Sequence, residues 1–200
     1  MNIFKIFRPR SGAGAFFLSI LLWGIGVGCF MAAMNNYLSD ILKMDSFERG
    51  LLEFFRELPG MLLVVILACF HRVSDWKVMR IGTLISLAGA GLLMMPADKI
   101  YTTAFIMIWS MGEHLVMPVR SAIVMQVAEK KHVGQALGLL TSIMNFGTVA
   151  GSLIVACIFV CGVKFFGKIE HMLFNLLWGF IACLMLISII TGKMLLRCTH

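Results

Sequence analysis

Residues 46–60 read SFERGLLEFFRELPG, and they run directly into the apolar decapeptide MLLVVILACF at 61–70. Five ionisable side chains, Glu48, Arg49, Glu53, Arg56 and Glu57, stand at the head of a segment that ends as hydrocarbon. The decapeptide alone is too short to cross a bilayer, because a spanning helix needs about 20 mostly apolar residues. Recruiting residues from Gly50 onward makes up the length and carries Glu53, Arg56 and Glu57 below the headgroups. A step of about 100° per residue puts Arg49, Glu53, Arg56 and Gly60 in one narrow sector, with Glu57 beside it. One reading is therefore a spanning helix with a polar stripe facing a wet cavity. The other starts the helix near Pro59, since proline suits a first turn, and leaves residues 48–57 as an amphipathic lead-in outside the membrane.

The rest of the chain favours a membrane setting. Of its 200 residues 60% are apolar and 14% charged, with mean hydropathy +0.94, beyond the range of soluble domains. The expected class is all-α and integral to the membrane: a single six-helix transmembrane domain over residues 1–200. The pattern places helices at about 14–34, 47–70, 81–95, 101–127, 134–163 and 172–192, the third being the shortest. Connections are short and leave no room for a soluble domain. Basic residues preceding the first segment resemble a signal peptide, but its apolar run is too long for a cleavable one and reads as an anchoring helix.

Lys and Arg accumulate on the cytoplasmic side of short loops. With the amino terminus inside, that side holds Lys5, Arg8, Arg10, Arg72, Lys77, Arg80, Lys130, Lys131, Lys193 and Arg197, against Lys43, Arg49, Lys99, Lys164 and Lys168 opposite. The expectation is a multi-pass cell-membrane protein with both termini cytoplasmic. The net charge of +7 then reflects topology and contact with the lipid bilayer, and no aromatic-basic pattern for nucleic acid is seen.

Small residues recur four apart: Gly24 with Gly28, Gly82 with Ser86, Gly134 with Gly138, and Gly147 with Gly151. Such pairs let helix backbones approach closely in lipid and indicate a polytopic bundle. The six cysteines form no CxxC pair and read as packing residues. No metal site and no cofactor are expected.

Ionisable residues within spans are costly and usually face a partner or water. Besides Glu53, Arg56 and Glu57, the fourth segment carries Glu113, His114 and Arg120. Glu113 and Arg120 are seven apart and share a face. Their charges suit an anionic group of a substrate, a transported proton at Glu113, or a bridge to another helix. His114 reads as a hydrogen-bonded packing residue or a proton relay. Pro118 should kink this helix. Enzyme signatures are weak: Ser110 and His114 share a face, but there is no Gly-x-Ser-x-Gly turn, HExxH or Walker loop, so the chain is read as not an enzyme. An intramembrane enzyme stays a remote alternative.

Three stretches carry a resemblance. GLL at 50–52 opens a helix ending in HRVSDWKVMRIG, GEHLVMP closes on a proline, and AEKKHVGQALGLLTSIMNFGTVAGSLI pairs a basic loop with a G-x-A-x-G entry. Together they resemble the amino-terminal six-helix half of a major facilitator superfamily transporter. His71 stands where the family has Gly, and Ser152 where its antiporters carry Pro. The resemblance implies alternating access by two rocking bundles, Asp75 and Arg80 as a cytoplasmic gate loop, and Arg120 as a cavity charge on helix four. It also implies a second six-helix half, in the same chain continued or in another chain. The expected function is secondary transport of a small-molecule solute, with proton coupling at Glu53, Glu57 or Glu113. The alternative is a non-transporting membrane scaffold or assembly subunit.

Overall fold

The computed structural model describes residues 6–7, 12–95, 98–166 and 171–198. Lys5, Arg8, Arg10 and Lys168, which enter the charge argument, lie outside the described residues, as do the side chains of Lys193 and Arg197. The described residues form α1 (Ala13–Asn36), α2 (Ser46–Met61), α3 (Leu63–Cys69), α4 (Asp75–Leu92), α5 (Lys99–Val127), α6 (Val133–Phe166) and α7 (His171–Cys198). A π-helical turn, Tyr37–Ile41, extends α1.

Six expected segments thus contain seven α-helices, because 47–70 is interrupted at Leu62. The break follows Pro59, which lies inside α2. Its ring has no N–H to offer the carbonyl four residues back and crowds that turn. A helix starting near Pro59 is ruled out: α2 begins at Ser46 behind a complete capping box. Asp45 Oδ1 accepts from the Glu48 amide at 2.8 Å, and Glu48 Oε2 accepts from the Asp45 amide at 3.0 Å. At the head of α5, Asp98 Oδ1 accepts from the amides of Ile100 and Tyr101, filling the orphan donors of the first turn.

By length and apolar composition, three described stretches suffice to cross a membrane: Ala13–Ile41, Lys130–Gly162 and His171–Gly192. The α2–α3 pair is split and charged, and α4 and α5 carry Asp75, Lys77, Arg80, Glu113 and Arg120. The helices that look least like membrane spans are those holding the candidate site residues.

Two ends of the bundle follow from contacts between connections. At one, the Ile6 carbonyl accepts from the Glu129 amide at 3.0 Å, and Gln126 Nε2 donates to Asp75 Oδ2 at 2.6 Å. At the other, Lys99 Nζ lies 2.6 Å from Glu48 Oε1, and Tyr37 packs on His171 and Phe174. Consecutive segments therefore run up and down.

Side-chain size explains which helices touch. At the α1–α6 crossing, a Cβ on Gly28 would come within 2.0 Å of the Thr148 carbonyl oxygen, and one on Gly151 within 2.2 Å of that of Ile25. Only glycine permits this approach, the outcome expected of the four-residue spacing. The centre is aromatic: Phe30 stacks on Trp109 with centroids 4.0 Å apart, and Trp23 lies parallel at 6.2 Å. Ser19 and Ser188 tie α1 to α7 by bonding each other's carbonyls at 2.9 and 3.0 Å. The exterior is apolar, with Val64, Phe146, Leu153 and Val160 each more than 60% exposed, as on a surface solvated by lipid rather than water.

Candidate functional site

The charged stretch of α2 faces α5. Its helix buries only Leu52 and Pro59, so much of its attachment is polar. Arg56 turns inward, its side chain 14% exposed, and spends its guanidinium on two neighbours of its own helix. Arg56 Nε donates to Glu53 Oε2 at 2.6 Å, and its terminal nitrogen meets Glu57 Oε1 at 2.6 Å. The two carboxylates flank it, half-exposed at 43% and 51%. Glu57 is therefore a full member of the cluster rather than a residue at its edge.

From α5, Ser110 donates its hydroxyl hydrogen to the Arg56 carbonyl. The carbonyl that Pro59 leaves without its helical donor is that of Phe55; the Ser110 bond is made one residue further on and ties α5 to the α2 backbone. His114, one turn on, places Nδ1 2.9 Å from the Ser110 carbonyl and 3.0 Å from Ser110 Oγ. Its Nε2 lies 3.5 Å from Glu57 Oε2. The ring fits there because position 60 is glycine: a Cβ would come 2.5 Å from Nε2. His114 is neither an isolated packing residue nor solvent-directed. It bridges two helices.

Glu113 lies beside this bridge. Its Oε2 is buried and has no hydrogen-bond partner among the described residues. Arg56, His114 and Arg120 are the charges within electrostatic reach, yet none forms an ion pair with it among the described residues. The buried indole nitrogen of Trp109, one turn earlier, is within reach of this carboxyl as a donor, but the pair falls short of hydrogen-bond geometry. Glu113 and Arg120 do share a face, but two turns separate them by about 10 Å along the axis, too far for contact. Arg120 instead lines a cavity of about 80 Å³ between α5 and α6, with Ser121, Thr141 and Asn145.

The proposed gate residues are not brought together. Asp75 opens α4 and accepts from Gln126 at the end of α5. Arg80 lies one turn further on, lining a cavity of about 20 Å³ with Ser19, Thr83 and Ser188. Its Nε is buried without a partner among the described residues. No cluster of His, Cys, Asp and Glu suited to a metal ion occurs among the described residues.

Ser110, Gly60 and Gln126 are the members that sequence reasoning missed as site residues. Ser110 was visible only as a neighbour of His114 on one helix face; its bond to the α2 backbone depends on how two helices are rotated against each other.

Chemically, the site gathers three carboxylates, one guanidinium and an imidazole between α2 and α5. Such a set can hold a proton or a polar solute; Ser110 Oγ lies 3.0 Å from His114 Nδ1, but its hydroxyl hydrogen goes to the Arg56 carbonyl and not to the ring. Among curated proteins none matches the chain closely enough to count as a relative. The family model described as Major Facilitator Superfamily matches residues 16–200, a span that contains every candidate residue above. The chain belongs to the Major Facilitator Superfamily, a family of membrane transporters.

Proposed function

We propose that the chain moves a small solute across the cell membrane by alternating access, with the α2–α5 cluster as its polar site and both termini cytoplasmic. The observation that carries this reading is Glu113. A buried carboxyl oxygen without a partner is costly in a membrane bundle, about 2.5–3.5 kcal/mol for an acidic group at the centre of a span. A stable fold keeps such a group where function needs it. Glu53 and Glu57 add half-exposed charge that lipid would penalise and water would not. They are suited to face an aqueous cavity shared with a second six-helix half. The gate then has two separate parts, Asp75 bonded to Gln126 where α4 meets α5 and Arg80 facing α1 and α7.

Sealed vesicles from cells producing the chain, offered a panel of labelled small solutes, test the reading. Solute should accumulate above control vesicles, and Glu113→Gln should abolish accumulation while leaving the amount of folded protein unchanged. Undiminished uptake in the variant would remove Glu113 from the site. No uptake of any solute by the unaltered chain would favour a scaffold instead.

A further inference from the structure

The contacts of His114 determine where its protons reside. Nδ1 lies 2.9 Å from the Ser110 carbonyl oxygen, which can only accept. It lies 3.0 Å from Ser110 Oγ, and that hydroxyl has already given its single hydrogen to the Arg56 carbonyl. Both neighbours of Nδ1 are acceptors. Nδ1 therefore carries a hydrogen whether the ring is neutral or charged.

In a neutral imidazole protonated at Nδ1, Nε2 is a bare lone pair. Here it faces Glu57 Oε2 at 3.5 Å, and an ionised carboxylate has nothing to donate. Neutral His114 opposite ionised Glu57 would set two acceptors against each other. One added proton converts that conflict into attraction, as imidazolium with carboxylate or as a carboxyl O–H directed at Nε2.

We propose that Glu57 and His114 together form a binding site for one hydrogen ion across the α2–α5 interface, with Ser110 as its positioning residue. The proposal deepens the transport reading, on which its use in coupling rests. Binding forms an N–H bond at Nε2 or an O–H bond at Glu57 Oε2, with the proton drawn from water. Release returns it to water, and nothing is oxidised or reduced. Glu57, half-exposed, supplies the route. Arg56 holds Oε1 at 2.6 Å, leaving Oε2 for His114.

The charged groups beside the pair are Glu53 and Arg56 on α2 and Glu113 on α5, with Arg120 further along α5 where it faces α6. The ionisable residues of α4, Asp75, Lys77 and Arg80, stand in its first two turns at the other end of the bundle. The described part of α3 has only Cys69, and that of α6 has Cys157, Cys161 and Lys164 in its second half. Because α2 buries few side chains, the proton also contributes to how firmly α2 seats on α5.

Nitrogen NMR of histidine-labelled chain in lipid nanodiscs tests this without any transport assay. The His114 signal is assigned by its disappearance in His114→Gln. Between about pH 5 and 8, where histidines commonly titrate, Nδ1 should remain protonated while the entire pH-dependent shift appears at Nε2. In Glu57→Gln the Nε2 titration should change and the Nδ1–H signal should not. A neutral tautomer with the proton on Nε2 would overturn the proposal, and so would an Nε2 titration identical with and without the Glu57 carboxylate. The unaltered chain decides the tautomer even where the Gln variant folds poorly. Failed solute uptake with an intact Nε2 response would count against the transport reading alone.

Discussion

At the scale of the residue, the molecule invests polar chemistry in a few positions. Glu113 is the clearest, with an oxygen that is buried and has no hydrogen-bond partner among the described residues. Replacing it by glutamine removes the charge at nearly constant volume. We expect Glu113→Gln to leave the melting temperature unchanged or raise it, by about 2–4 °C for each 1 kcal/mol in a chain of this size, while solute uptake is lost. Thermal unfolding beside vesicle uptake measures both. Gly60 makes the complementary case: Gly60→Val would fill the space of the His114 ring, whose Nε2 lies 2.5 Å from the nearest added carbon. The variant should fold yet lose the pH-dependent Nε2 signal. The sequence exposed the types of these residues and their helical faces. It could not expose the Ser110 bond to the Arg56 carbonyl, because periodicity gives rotation about one helix axis and never the rotation of one helix against another.

At the scale of the element, the segment at 46–70 shows what composition resolves and what it leaves hidden. Its polar sector was legible; that Arg56 would pair with both Glu53 and Glu57 was not. The interruption at Leu62 was not, since an apolar run looks alike whether straight or broken. The α1–α6 crossing was better specified: Gly24 with Gly28 and Gly147 with Gly151 meet there, and Gly82 with Ser86 faces Gly112, whereas the same spacing at Gly134 and Gly138 has no neighbour within 4 Å. Gly28→Leu should therefore lower stability sharply, about 1–3 kcal/mol or more for overpacking, seen as a fall of several degrees in melting temperature. Lys99→Ala, which removes the exposed clamp on Glu48, should leave the melting temperature nearly unchanged, because exposed ion pairs are screened by solvent. The contrast separates packing, which holds α1 and α6, from surface charge, which contributes little.

At the scale of the whole molecule, α1, α6 and α7 are apolar enough to cross a bilayer by composition alone, while α2, α4 and α5 carry the candidate site residues. Lipid demands apolar length, and the helices that carry the candidate site residues satisfy that demand least. We propose that the charged face of α2 borders water within the membrane rather than bulk solution above it. Thiol labelling tests it most directly: Glu57→Cys is introduced after replacing the six native cysteines, and intact cells are treated with a small membrane-impermeant methanethiosulfonate. Labelling should proceed, more slowly than at Lys43→Cys in the α1–α2 connection. Labelling at the same rate as position 43, or none at all in folded protein, would contradict the account.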